Sequence, residues 1–280
     1  MKILITGAQG QLGTELRHLL DARGLTYRAT DAKDLDITDE AAVNQYFKDY
    51  QPELVYHCAA YTAVDKAEDE TKVLNQLVNV DGTRNLAKAA EAVDATLVYI
   101  STDYVFDGDS KDIYGVDDQP APRNEYGQAK YEGEQQVQKY LKKYYIIRTS
   151  WVFGEYGHNF VYTMLDLAKK HKELNVVDDQ YGRPSWTKTL AEFMTFAVDQ
   201  HLEYGIYHLS NDNSCNWYEF ASAILADKNV EVKPISSANY PQKAWRPRHS
   251  ILDLSKTKAT GFEIPTWQDA LEDFLQIVAK

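Results

Sequence analysis

The feature that most restricts this chain is its opening, MKILITGAQGQLG, in which a short apolar run meets Gly7, Gly10 and Gly13 at the start of a helix-like stretch. A strand that stops on a glycine turn and feeds a helix leaves bare backbone and free N–H groups aimed at one spot. That arrangement predicts a pyrophosphate cradle. The alternation then continues. Apolar runs at 2–6, 26–31, 53–60, 96–102 and 144–150 are separated by amphipathic stretches at 11–24, 39–50, 75–93 and from 124 onwards. Strands that read as unbroken apolar runs between helices predict a parallel sheet covered on both faces.

The implied architecture is α/β, a Rossmann-type doubly wound parallel sheet with a smaller, interleaved C-terminal substrate-binding lobe. Helical patterns recur near 159–171, 187–201, 216–227 and 266–279, with the irregular stretches DDQYGRPSW and YPQKAWRPRHS between them. Residues 1–150 are read as the dinucleotide-binding domain, with returning segments near 175–202 and 249–262, and 151–280 as mainly the lobe. The length of 280 residues accommodates both, and 44% apolar with 26% charged residues is the balance of a folded protein.

A formal charge of −12 disfavours nucleic acid and means that any anionic ligand must be held by local arginines. Cys58 and Cys215 lack CxxC spacing, so neither a disulfide framework nor a zinc site is expected. No apolar run is long enough for a membrane span, and the first one meets glycine too soon for a signal peptide. The reading is cytoplasmic, with no membrane partner.

The second strand ends at Asp31, eighteen residues beyond Gly13, where a carboxylate accepts hydrogen bonds from an adenosine ribose. It would repel a 2′-phosphate, which favours NADH over NADPH, although Arg28 and Lys33 are near enough in sequence to turn toward one. Further on, NEYGQAKYEGEQ at 124–135 places Tyr126 and Lys130 four apart, on one helix face. Alone, such a pair is a solvated surface. Beside a cofactor site it has a purpose, because ketone reduction needs a proton at oxygen as well as a hydride at carbon. A phenol titrates near 10, and an adjacent ammonium would lower it toward the working pH. Thr102, at the end of the strand YIST, supplies a hydroxyl for the carbonyl oxygen, with Ser101 the alternative.

The spacing Gly-x-x-Gly-x-x-Gly with Thr102, Tyr126 and Lys130 resembles the extended short-chain dehydrogenase/reductase group. That resemblance implies cofactor contacts from Gln11 and Leu12 in the glycine loop and from Asp36 and Ile37 at the adenine. It adds Ala60, Tyr61 and Thr62 over the pyrophosphate and nicotinamide ribose, Asn79 on the following helix, and Lys130 on the ribose. The segments TAVDKAE, STDYVFDG, RTSWVFG, YHLSNDNSCNWYEFA and RPRHSILD extend a narrower likeness along essentially the whole chain. They resemble the dTDP-4-dehydrorhamnose reductase family.

This likeness implies reduction of the C4 ketone of dTDP-6-deoxy-L-lyxo-4-hexulose by NADH or NADPH. Thr102 and Asp103 would touch the sugar, Tyr126 would donate the proton, and Trp151 would wall the sugar site. Of Arg183, Arg246 and Arg248, Arg246 is the expected diphosphate ligand. Trp217, Tyr240 and Trp245 are either thymine platforms or lobe packing. Some members of the family dimerise around Mg²⁺ held by glutamates, and Glu15 sits where such a ligand would be. With Glu272 and Asp273 it is read here as a solvated helix face, so no metal is predicted and the chain is expected to be a homodimer or a monomer. The competing readings are another nucleotide-sugar epimerase or dehydratase, and a non-catalytic subunit like the regulatory beta subunit of methionine adenosyltransferase.

Overall fold

The computed structural model describes residues 1–109, 113–240 and 242–279. Strands β1 (Ile3–Thr6), β2 (Tyr27–Thr30), β3 (Leu54–His57), β4 (Thr96–Thr102) and β5 (Tyr144–Thr149) alternate with α1 (Gln11–Ala22), α2 (Glu40–Tyr50), α3 (Lys72–Gln76), α4 (Thr83–Ala92) and α5 (Glu125–Tyr140). The second half contributes β6 (Val152–Phe153), α6 (Phe160–Ala168), β7 (Glu173–Val177), β8 (Tyr181–Gly182), β9 (Ser185–Trp186), α7 (Thr187–Asp199) and β10 (Gly205–His208). It continues with β11 (Cys215–Asn216), α8 (Trp217–Ile224), β12 (Glu231–Ile235), α9 (Ser255–Ala259) and α10 (Trp267–Val278).

The central sheet is parallel throughout, in the order β10-β5-β4-β3-β1-β2. Successive residues of a strand face opposite sides, so one strand feeds two cores. Ile3 and Ile5 pack with Leu16 of α1 and with Leu190, Phe193 and Met194 of α7. Leu4 packs with Val43 and Phe47 of α2, Leu86 of α4 and Val137 of α5. Because β1 pairs with β2 on one side and β3 on the other, the strand order reverses there. The crevice at the carboxyl ends of β1 and β3 is the ligand position of such sheets. A third core, around Phe153, Trp186, Phe220 and Phe274, belongs to the second half, where β7 and β12 pair as a small separate sheet.

Two elements differ from what the pattern suggests. The segment GIYH, which the apolar pattern does not single out, forms the sixth strand β10, a short edge strand whose first half is only partly buried. The stretch read as one helix over 75–93 is interrupted by a π-helical turn, Leu77–Gly82, between α3 and α4. Its consequence is local: Asn79, 1% exposed, turns inward and clamps the Tyr61 peptide, accepting from its N–H at 3.1 Å and donating to its C=O at 2.9 Å. Single π turns of this kind commonly mark functional positions.

Helix α5 shows which way its Tyr–Lys face points. Gly127, Ala129, Lys130, Gly133, Glu134 and Val137 are its buried residues, so the pair lies on the face packed against the sheet. Glu134 takes the Arg148 guanidinium of β5 in a two-pronged pair, Nε to Oε1 at 2.9 Å and Nη2 to Oε2 at 2.7 Å, with both side chains essentially sealed from solvent. That pair fixes α5 against the strand leading to Trp151.

Candidate active site

Gly7 sits at φ +66°, in the left-handed region that glycine enters without strain, and its carbonyl accepts from Gly10 N–H at 3.1 Å. Any Cβ at Gly13 would stand 2.2 Å from that same carbonyl oxygen and 2.8 Å from Ala8 Cα. Backbone therefore occupies the space that side chains would need, and Gly10, as N-cap of α1, offers the helix N-terminus without a side chain in the way. The residues fit a dinucleotide pyrophosphate.

A cavity of about 300 Å³ beside this turn is lined by Gly7, Gly10, Asp31, Leu35, Asp36, Ile37, Ala60 and Tyr61, among others. Asp31 Oδ2 accepts from Gln9 N–H at 2.8 Å, which orients the carboxylate. Asp36 Oδ1 holds both N–H and hydroxyl of Thr38, at 2.9 and 2.8 Å. The cation question is partly answered by geometry: the Arg28 guanidinium lies 4.1 Å from the centre of the Tyr50 ring, engaged on α2.

The neighbouring cavity, about 530 Å³, brings together Gly10, Gln11, Leu12, Ala60, Thr62, Ser101, Thr102, Asp103, Tyr126, Lys130 and Trp151. Two residues expected at the cofactor stand behind the walls. Gly13 packs under the turn, and Asn79 acts through the Tyr61 backbone.

In this cavity the Thr102 hydroxyl donates to Asp103 Oδ1 at 3.0 Å and accepts from Tyr104 N–H at 3.2 Å, beside Tyr126 in the lining. Tyr126 is held by its helix start, where Asn124 caps Gly127 N–H, and by an edge contact with Tyr104 at 6.1 Å. Tyr126 is half-buried and lines the cavity. Among protein groups the electrostatics run opposite to the sequence expectation. Burial, then the Asp103 carboxylate, pushes the phenol well above its ordinary value, and only the Thr102 hydroxyl pulls it down. Lys130 points elsewhere: its ammonium lies 4.1 Å from the centre of the Tyr99 ring, and burial drags it from 10.5 down to about 7 against the pull of Glu134. Asp103, also buried, is pushed up to about 6.

Trp151 walls the cavity from the far side. It adopts φ +48°, an uncommon backbone state for a bulky residue, and its indole stacks on Trp217 with ring centres 3.6 Å apart. Trp217 also lines the cavity, so it belongs to the wall.

Arg246 is absent from the lining of this cavity and lines a third one of about 460 Å³ with Arg123, Tyr240, Trp245 and Arg248. Its guanidinium lies 5.8 Å from the Tyr104 ring centre and pairs with Asp65 at 2.8 Å. Arg183 instead pairs with Asp212 at 3.1 Å and is absent from the lining of all three cavities.

Asp65 was not foreseen as functional. Its second oxygen accepts from Ala244 N–H at 3.0 Å, and Asn124 Nδ2 donates to the Trp245 carbonyl at 2.9 Å. The strap at 244–246 is thus tied to the turn after Thr62 and to the start of α5. The available signal was the motif TAVDKAE, whose aspartate had no assigned partner.

Glu15 lies beside Glu155, and burial followed by that neighbour pushes it up to about 7. Among the described residues no three His, Cys, Asp or Glu side chains are arranged to hold a metal ion, and no helix is long and apolar enough to cross a membrane.

The family model described as the RmlD substrate binding domain matches residues 1–280. A spore coat polysaccharide biosynthesis protein of Bacillus subtilis is 40% identical over 277 residues, covering 98% of this chain and 97% of its own. The dTDP-4-dehydrorhamnose reductase of Streptomyces griseus is 41% identical over 279 residues, covering 96% and 91%. Among solved structures, the dTDP-4-dehydrorhamnose reductase of Bacillus anthracis in complex with NADP superposes with a TM-score of 0.94 at 43% identity, covering 98% of both chains.

Proposed function

The chain belongs to the RmlD substrate-binding family, and from that premise we propose how its residues divide the work of reducing dTDP-4-dehydrorhamnose with NAD(P)H. The product is dTDP-L-rhamnose, and the reaction closes dTDP-rhamnose biosynthesis. The observation that carries the residue roles is the meeting of Thr102, Tyr126 and Lys130 in the lining of one cavity that shares Gly10, Cys58, Ala59 and Ala60 with the adenosine-side cavity.

The residues of these two cavities would hold the dinucleotide, whose reduced nicotinamide would supply the hydride for the ketone carbon. Gly7, Gly10, Gln11, Leu12 and Gly13 hold the pyrophosphate turn, Asp31 the adenosine ribose, and Asp36 and Ile37 the adenine side. Ala60, Tyr61 and Thr62 cover the loop side, with Asn79 fixing Tyr61 and Lys130 serving the nicotinamide ribose. Thr102 and Tyr126 together bind the ketone oxygen, and Tyr126 gives it the proton. A phenol held high by burial keeps its proton until negative charge develops on that oxygen, which suits a general acid.

Trp151 closes the sugar cavity and Arg246 takes the diphosphate. The lobe formed mainly by 151–280 carries the sugar nucleotide, and the domain formed mainly by 1–150 carries the dinucleotide. NADH is favoured over NADPH, because the Asp31 carboxylate lines the adenosine-side cavity and Arg28 is engaged on Tyr50. Cytoplasmic action is part of the same reading. The test is NADH oxidation dependent on the 4-keto sugar nucleotide. Tyr126→Phe should leave cofactor affinity intact and lower kcat by about 10²–10⁴, and unchanged turnover would refute the role.

A further inference from the structure

We propose that Asn159, in the lobe, is a positioning residue for the dinucleotide: it turns the side-chain amide of Gln11 so that the NH₂ end, not the oxygen, is presented to the pyrophosphate. This rests on the reading of the glycine turn as the pyrophosphate site. Charge makes the orientation matter. Among the described residues lining the two cavities there is no arginine, and the one lysine, Lys130, sits over the Tyr99 ring. A diphosphate at the turn is therefore held mainly by neutral N–H donors, and a glutamine helps only if its donor end faces the anion. Its oxygen would repel it.

The hydrogen bonds decide which end that is. Asn159 is buried and forms the N-cap of α6. Its Oδ1 accepts from Tyr162 N–H at 3.2 Å, and its Nδ2 donates to the Gly154 carbonyl at 2.8 Å. A backbone N–H only donates and a backbone carbonyl only accepts, so these two partners leave the Asn159 amide a single orientation. The same Nδ2 donates its second hydrogen to Gln11 Oε1 at 2.8 Å. An NH₂ facing Gln11 needs an oxygen opposite it. Oε1 is thus committed to the lobe, and Nε2 is the end left for the cavity that Gln11 lines with Gly10 and Leu12.

Both sides of the contact are held in place. Gln11 is the first residue of α1, directly after its N-cap Gly10, and so stands at the helix end that suits a diphosphate. Opposite it, the chain from Gly154 to Asn159 lies against α1. Gly157, at φ +73°, comes so near that a Cβ there would stand 3.4 Å from Gln11 Cβ, and Tyr156 stacks on His18 with ring centres 5.0 Å apart. Gly157 and His158 line the same cavity as Gln11. A residue 148 positions further along the chain thereby sets the polarity of the cofactor turn, which couples the lobe to the dinucleotide domain.

Asn159→Ser keeps a capping oxygen and adds no charge, but its side chain is too short to donate to Gln11. NADH binding, read by cofactor fluorescence titration, should weaken at least about fivefold in Asn159→Ser and in Gln11→Ala, because a hydrogen bond to a charged group contributes about tenfold or more. In a Gln11→Ala background the serine substitution should cost less than about twofold, since a residue that acts through Gln11 has nothing left to turn. ADP-ribose, which keeps the pyrophosphate and lacks the nicotinamide, should lose affinity by the same factor as NADH. Asn159→Asp, of the same size and as good a cap, gives a second arm that does not depend on the serine variant folding. Its carboxylate only accepts, so it draws Nε2 of Gln11 toward itself, and in that background Gln11→Ala should no longer weaken NADH binding. Equal losses from Asn159→Ser with and without Gln11, a Gln11→Ala penalty that persists beside Asn159→Asp, unchanged NADH affinity in Gln11→Ala, or a loss confined to NADH would each overturn the proposal. A wild type that binds neither NADH nor NADPH would instead sink the dinucleotide reading of the glycine turn.

Discussion

Replacing Lys130 by Met should make the protein more stable and inactive at the same time. The side chain is 1% exposed, and burial takes its pKa from 10.5 to about 7. Between those values the unfolded chain holds more protons than the folded one, so wild-type stability rises with pH across that window. Below about 7 the whole penalty is present, and above about 10.5 it is gone. At ~1.4 kcal/mol per pH unit the penalty is at most about 5 kcal/mol. The Tyr99 ring offsets about 2 kcal/mol of it when the ammonium is desolvated, which leaves about 3 kcal/mol, roughly two decades in the unfolding equilibrium. Methionine is unbranched, nearly as long, and fills such slots without a polar atom. Urea denaturation of both proteins between about pH 6 and 10 measures the difference through the midpoint and slope. The variant should be the more stable at neutral pH, with the gap closing toward pH 10, and NADH oxidation should be lost. A variant less stable than wild type at neutral pH, or a gap that ignores pH, would show that the buried ammonium is not a strained charge.

Three further outcomes follow from the same geometry. Gly13→Ala sets a Cβ against the Gly7 carbonyl and Ala8, both backbone; it should destabilise by about 1–3 kcal/mol and weaken NADH binding about tenfold or more, read by melting and by cofactor fluorescence titration. Asp31→Ala removes the carboxylate beside the ribose and should narrow the preference for NADH over NADPH, measured as the ratio of kcat/KM for the two. Asp65→Ala leaves Arg246 unpaired and the Ala244 N–H without its acceptor; it should raise KM for the sugar nucleotide severalfold with kcat little changed, whereas a fall in kcat alone would remove the strap from substrate binding.

The central sheet was legible because its inner strands are buried on both faces and so read as unbroken apolar runs; Ile3–Thr6 and Leu54–His57 are buried at every position. The edge strand β10 gives no such run and escaped notice. Spacing showed that Tyr126 and Lys130 share a helix face, since a period of 3.6 fixes faces. It did not show where the two polar ends go, because that depends on Tyr99 and Thr102 from β4. The Asp65–Arg246 pair joins residues 181 apart in the chain, and no local pattern encodes a contact of that range. Asn79 was singled out on resemblance, yet its action through the Tyr61 peptide follows from a π turn that apolar periodicity does not signal.

Helix α5 ties these contacts together, and this explains why the Tyr–Lys spacing alone carried so little. From its N-cap, Asn124 holds the strap through the Trp245 carbonyl. Two residues on, Tyr126 joins Thr102 in the cavity lining, then Lys130 reaches Tyr99, and Glu134 locks onto Arg148 of β5. Tyr126, Lys130 and Glu134 are spaced by four residues and so lie along one face. A rotation of the helix large enough to free the phenol would also break the buried Glu134–Arg148 pair, which costs about 3–5 kcal/mol when one partner is lost. The position of the proton donor is therefore set two turns away from it, by an ion pair that touches no ligand cavity.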